Sequence, residues 1–313
     1  MIESKIMDIR TIFMGSPEFA LPILNEMHRF VNVIGVVTQP DRPSGRGRST
    51  QSPPVKILAE NLDIPVIQPE KLSEPDAMQK LLEWNPELIV VAAFGQILKK
   101  EVLEIPRLGC LNVHASLLPR WRGASPIQAA ILHGDTTTGV TIMKMDIGLD
   151  NGPILTLREF SIKENMTGGE LSHELSILGA RALVDILPSY VNRMIVPYPQ
   201  DESNATYSKK IMKNDGRLDF SQPAHELARK VQAFNPWPGT FFELGEKLIK
   251  VHQAHAHDTF VAEPAGHYIV NGKPAIGTSN GLLVIDLIQP AGKQAMEGSS
   301  YLNGYPNWLK MED

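Results

Sequence analysis

Apolar residues fall into two kinds of pattern along the first 160 positions. Short continuous runs at 11–15, 31–37, 64–67 and 87–94, and one leading into His114, read as strands. Continuous apolar runs suit strands buried on both faces of a sheet. Between them lie helical patterns at 17–29, 53–62, 75–83 and 97–103, three of which begin at a proline. Proline is well suited to the first turn of a helix, where its missing N–H has no partner to lose. This alternation predicts an α/β fold with a doubly wound, mostly parallel sheet. Runs at 140–144 and 153–162 then flank a Gly- and Asp-rich loop, as in a hairpin with a long turn, and a long helix follows over 168–193.

Residues 194–207 are polar and proline-bearing, the character of an interdomain linker. After a helix at 223–233 come closely spaced strand patterns at 240–244, 247–255, 266–270, 274–278 and 281–287. In about 105 residues they predict a small β-barrel of the oligonucleotide-binding type. The expected organisation is a larger domain over 1–193, the linker, and the barrel over 208–313.

Composition narrows the class. With 42% hydrophobic and 21% charged residues in 313, the chain can bury a substantial core. A net charge of −5 sets it apart from globally basic nucleic-acid proteins. The single cysteine, Cys110, rules out an internal disulfide and reads as a buried core thiol. No apolar run reaches the ~20 residues of a membrane span and no signal peptide is visible, so a cytoplasmic location is expected.

Chemistry concentrates at 111–126. Asn112 and His114 are two apart in a strand and therefore project from one face, an amide beside a group that titrates near neutrality. Parallel sheets carry their reactive crevices at such strand ends. A loop bounded by Gly148 and Gly152 holds Asp146 and Asp150 between two strands and can approach this end closely. Asn, His and Asp together can run acyl transfer with no covalent intermediate: the amide and imidazolium stabilise an oxyanion, and the carboxylate helps remove a proton from an attacking amine. Asp135 and Asp146 compete with Asp150 for the last role; the spacing and the Asn-Gly that follows favour Asp150. Dinucleotide and phosphate readings fail, because Gly15-Ser16-Pro17 lacks the further glycines of the fingerprint. His252, His255 and His257 lack a credible third-ligand motif, so no metal is expected.

The residues Asn112-Val113-His114-Ala115-Ser116-Leu117-Leu118-Pro119, then Arg122-Gly123, then Asp150 in Leu149-Asp150-Asn151-Gly152-Pro153, resemble the folate-dependent formyltransferases. The 36-residue interval from His114 to Asp150 fits as well. The likeness extends over the whole chain in the branch that acts on charged tRNA, through Gln39-Pro40-Asp41-Arg42-Pro43, Phe234-Asn235-Pro236-Trp237-Pro238-Gly239 and Pro290-Ala291-Gly292-Lys293. The resemblance implies a Rossmann-like formyltransferase domain that moves a formyl group from 10-formyltetrahydrofolate to the α-amino group of methionine on initiator tRNA. It implies Asn112, His114 and Asp150 as the catalytic group. It also implies a folate site formed by Ser116, Leu117, Leu118 and Pro119, with Phe94, Gly95 and Ile97 contributing. No metal takes part, and a monomer is expected.

Local charge supports a nucleic-acid partner. Residues 39–56 carry a net +3 from Arg42, Arg46, Arg48 and Lys56 against Asp41. Residues 99–122 carry another +3, counting Arg120 and Arg122, and Lys209, Lys210 and Lys213 cluster at the entrance to the barrel. The expected tRNA contacts are Arg42, Arg46, Arg48, Lys209, Lys210 and Lys213. Rival readings are a formyltransferase acting on glycinamide ribonucleotide or an amino sugar nucleotide, a formyl-folate hydrolase, and a noncatalytic tRNA- or folate-binding module. The Arg-rich 42–48 loop argues against the sugar, and the joint presence of Asn112, His114 and Asp150 argues against the module.

Overall fold

The computed structural model describes residues 7–44, 49–259, 263–306 and 308–310. The chain gathers into two compact units. The first comprises the described residues up to Gly123 with Thr137–Ser161 and Ser172–Tyr207. The second comprises Ala124–Thr136, Ile162–Leu171 and the described residues from Ser208 on. Segment 194–207, expected as a linker, therefore lies in the first unit, where Tyr198 and Ile154 exchange backbone hydrogen bonds of 2.8 and 3.0 Å.

The first unit is built on a seven-stranded sheet. Its strands are β1 (Met7–Gly15), β2 (Val31–Val37), β5 (Val66–Ile67), β6 (Leu88–Ala92), β7 (Cys110–His114), β9 (Thr137–Lys144) and β10 (Ile154–Ser161), in the spatial order β10-β9-β7-β6-β1-β2-β5. From β5 to β7 all neighbours are parallel; β9 and β10 run antiparallel at one edge, as the hairpin pattern predicts. Loop 39–52 instead forms a small ladder, β3 (Arg42–Ser44) against β4 (Ser49–Gln51). The two-residue strand β8 is Arg122–Gly123, and β11 is Tyr207–Ser208.

Two helical layers explain the continuous apolar runs. Every residue of β6 is buried: Leu88, Val90 and Ala92 join a cluster with α1 (Leu21–Phe30), α2 (Pro54–Asn61) and α6 (Gly168–Val191). Ile89 and Val91 join another with α3 (Pro75–Trp84) and α4 (Lys100–Leu103) on the opposite face. Burying such a side chain stabilises by about 1.5–3 kcal/mol, so a polar residue in mid-strand would be costly. The helix expected over 97–103 is confined to α4. The proline-bearing stretch after Pro119 yields α5 (Pro126–Leu132), with Pro126 in its first turn.

The second unit carries α7 (Ala224–Ala233) and a six-stranded antiparallel sheet. Its strands are β12 (Thr240–Leu244), β13 (Lys247–His257), β14 (His267–Val270), β15 (Lys273–Gly277), β16 (Leu282–Pro290) and β17 (Met296–Glu297). The order is β12-β13-β16-β15-β14, with β17 on β16. Buried Val231, Ile249, Ile285 and Ile288 form its core with Tyr301 of α8 (Gly298–Gly304) and Trp308.

Candidate active site

The period-2 geometry of β7 decides which side chains meet. Leu111 and Val113 enter the core with α1 and α6, so Cys110, Asn112 and His114 face the other way. Cys110 lies beneath α4, its Sγ 3.9 Å from the Val102 carbonyl oxygen. Burial pushes its thiol up to about 12, which makes it a packing group and not a nucleophile. One and two steps further toward the strand's C-terminal end lie Asn112 and His114, 9% and 5% exposed.

Asp150 completes the group. Its Oδ1 accepts from Asn112 Nδ2 at 3.4 Å, and its Oδ2 lies 3.7 Å from His114 Nδ1. The Gly123 backbone N–H donates to Oδ2 at 2.8 Å. Of the three aspartates considered from sequence, Asp150 is therefore the one brought against the pair. Asp146 is exposed and accepts from its neighbour Ile147 N–H, and Asp135 belongs to the second unit. Gly152 lets the loop close, because a Cβ there would meet the Lys144 carbonyl oxygen at 2.0 Å.

His114 is oriented from the far side. Its Nε2 lies 3.0 Å from the Trp121 carbonyl oxygen. A carbonyl only accepts, so Nε2 carries the proton and Nδ1 is the nitrogen turned toward Asp150. Trp121 sits at φ 60, a region costly for a bulky residue. It is held there by its N–H to Thr206 Oγ1 at 2.9 Å and by the Arg120 guanidinium 4.3 Å from its ring.

The expected folate residues divide. Ser116 is buried and donates to the Arg120 carbonyl at 2.5 Å; Thr141 Oγ1 accepts from Leu118 N–H and donates to the Ser116 carbonyl. Leu118 packs with Met143 and Ile154, while Leu117 and Pro119 are half-buried. Phe94 is a core residue, and its carbonyl accepts from Gln39 Nε2 at 3.1 Å. Gly95 takes φ 81, and Ile97 is 89% exposed at the rim of a cleft of about 600 Å³ lined by Leu72, Met78 and Gln96.

The charged residues change the expected surface. Arg122 is 1% exposed and so is not part of an outer basic patch. Its guanidinium forks onto Glu202 at 2.7 and 2.8 Å and onto Gln200 Oε1 at 2.8 and 3.0 Å. Arg122 holds the Glu202 carboxyl below the usual range, and Glu202 raises the guanidinium in turn. Arg42 pairs with Glu70 at 3.4 Å and Lys56 with Asp41 at 2.7 Å, so two cations of the 39–56 segment already have partners. Hydrogen bonds from Gln68 and then Lys56 hold the Asp41 carboxyl down. Arg46 and Arg48 lie outside the described residues. Lys209, Lys210 and Lys213 are exposed around buried Ile211. Among the described residues no group of acidic, His or Cys side chains could hold a metal, and no helix is long and apolar enough to cross a membrane. His255 is instead paired with Asp286 at 2.7 Å.

Thr141, Trp121 and Gln200 support the site without a sequence motif of their own. A threonine inside the apolar 140–144 run was the one visible signal.

Comparison with known proteins agrees in family and length. The formyl transferase family matches residues 9–187, and the formyl transferase C-terminal domain matches residues 210–306. A protein of Myxococcus xanthus named methionyl-tRNA formyltransferase is 45% identical over 299 residues, 95% of each chain. Among solved structures, an N-formyltransferase from Helicobacter canadensis in complex with folinic acid and dTDP-3-aminofucose aligns with a TM-score of 0.63 at 18% identity, over 92% of this chain and all of its own. HypX from Aquifex aeolicus in complex with tetrahydrofolic acid aligns with a TM-score of 0.61 at 18% identity, over 97% of this chain and 48% of its own.

Proposed function

Because the chain belongs to the formyl transferase family, and along its length to the methionyl-tRNA formyltransferases within it, we propose that it transfers the formyl group of 10-formyltetrahydrofolate to the α-amino group of methionyl initiator tRNA, in the cytoplasm, for translation initiation. The observation that carries the chemistry is the approach of Asp150 to both Asn112 and His114 at the end of β7.

The steps follow from these groups. The neutral α-amine adds to the formyl carbon, and the carbonyl π pair moves onto oxygen. The oxyanion is held by the Asn112 amide and by the His114 imidazolium, which donates through Nδ1–H while Nε2–H stays on the Trp121 carbonyl. A preorganised donor of this kind is worth roughly 10²–10³ in rate. Asp150 takes the proton that the nitrogen sheds. Collapse then expels N10 of tetrahydrofolate, which takes up the proton held by Asp150 as the C–N10 bond breaks. No covalent enzyme intermediate is needed, and the buried Cys110 and Ser116 hydroxyl are not called on.

The folate is assigned to Ser116, Leu117, Leu118 and Pro119 together with the backbone at Phe94 and Gly95 and the side chain of Ile97. HypX and the Helicobacter enzyme, both with folates in their complexes, support a folate as the formyl carrier. The tRNA is assigned to Arg42, Arg46, Arg48, Lys209, Lys210 and Lys213. Identity of 45% over 95% of both chains to a relative named methionyl-tRNA formyltransferase favours tRNA over the sugar as acceptor. The test supplies 10-formyltetrahydrofolate with methionyl initiator tRNA, free methionine or an amino sugar nucleotide. Formylation of the charged tRNA alone is expected, and formylation of the sugar alone would overturn the acceptor.

A further inference from the structure

We propose that Gln200 is a positioning residue for the reaction: it locks the Asp150 loop, with buried Arg122 as its anchor. The proposal rests on the Asp150 reading above. Gln200 Nε2 donates to the carbonyl oxygens of Asp150 and Gly152, both at 2.8 Å. Its Oε1 accepts from Arg122 Nε and Nη2. Both amide hydrogens and both carbonyl lone pairs are thereby used. The orientation of the amide is also fixed, since a guanidinium only donates and backbone carbonyls only accept.

The grip falls where the loop needs it. Asp150 holds φ 50, a left-handed conformation that a non-glycine residue keeps only when its surroundings enforce it. The same residue has its backbone tied by Gln200 and its Oδ2 tied by Gly123 N–H. Arg122 and Gly123 are neighbours in β8, so one short strand supplies both the anchor of Gln200 and a direct tether of the carboxylate. On the outer side Glu202, 68% exposed, closes the chain Glu202–Arg122–Gln200–Asp150.

Gln200→Glu tests this, because it keeps two acceptors for Arg122 and removes both donors to the loop. A displacement of about 1 Å at a reacting group costs up to about 10²-fold in rate. The expected result is a kcat about 10- to 100-fold lower, with KM for folate and for tRNA unchanged. In an Asp150→Asn background the same substitution adds no further loss, because Gln200 acts only through Asp150. Equal losses in both backgrounds, or a wild-type kcat for Gln200→Glu, would overturn the proposal. Full activity of Asp150→Asn alone would instead remove the reading on which it rests. If Gln200→Glu does not fold, Glu202→Gln tests the chain from its exposed end. A kcat loss of about threefold, in keeping with one exposed ion pair, is expected, and it vanishes in the Asp150→Asn background. A loss that persists there, or no loss at all, contradicts the proposal.

Discussion

His114 Nε2 and the carbonyl oxygen of Trp121 are 3.0 Å apart, and this contact fixes which imidazole nitrogen is free for chemistry. The neutral ring is then the Nε2–H tautomer, with Nδ1 facing Asp150. Nitrogen-15 shifts of His114 are expected to report that tautomer, with the proton on Nε2. A neutral ring protonated on Nδ1 would contradict the orientation.

The ion-paired group at Asp286 makes a pH prediction. Burial raises this carboxyl, but hydrogen bonds from His255 and Lys273 outweigh it, and the net shift is downward. A carboxyl depressed in the folded state contributes stability that is present above its unfolded value, about 3.9, and is lost as pH falls through the folded value. Asp286→Asn is therefore less stable than the parent at pH 7, and the gap closes below about pH 4. Chemical denaturation across pH checks this; a gap that widens on acidification contradicts it.

Tyr301 carries a buried hydroxyl with no partner among the described residues, and burial pushes the phenol up to about 12. Its ring stacks on Tyr305 at 4.3 Å and meets Trp308 edge-on. Tyr301→Phe keeps the ring contacts and removes an unsatisfied polar group. Stability is expected to rise by about 1 kcal/mol, read as a higher denaturation midpoint with unchanged slope.

Lys209, Lys210 and Lys213 are tested through salt. Each phosphate contact contributes roughly 0.7–0.9 to the slope of log affinity against log salt. Replacing all three with Gln is expected to weaken tRNA binding and flatten that slope by about two, leaving folate binding intact. An unchanged slope would remove them from the interface.

Much of this architecture is legible in the sequence, because burial on two faces leaves short continuous apolar runs whose length suits strands. Leu88–Ala92 reads as a central strand, and the five runs between 240 and 287 mark strands within a few residues of their observed bounds. The Asn112/His114 face follows from strand period, and Asp150 from a loop whose glycines permit close approach. What the sequence hid depends on tertiary partners. Arg122 looks like a surface cation until Gln200 and Glu202, about 80 residues on, enclose it. Gln200 itself lies in a stretch whose polarity and prolines suggest a linker. Pro126 suggests a loop, although at a first helical turn it starts α5 equally well. Phe94 reads as a folate contact from its place at the end of an apolar strand, and its ring packs in the core.

The most direct measurement is single-turnover formyl transfer from 10-formyltetrahydrofolate to methionyl initiator tRNA, comparing the parent with His114→Ala and Asp150→Asn. Loss of a positioned acid or base is expected to slow the chemical step by about 10²–10⁴-fold while folate and tRNA still bind. Substrate binding retained with chemistry lost would establish His114 and Asp150 as members of one catalytic group. Chemistry at the parent rate in both variants, with both substrates bound, would contradict it.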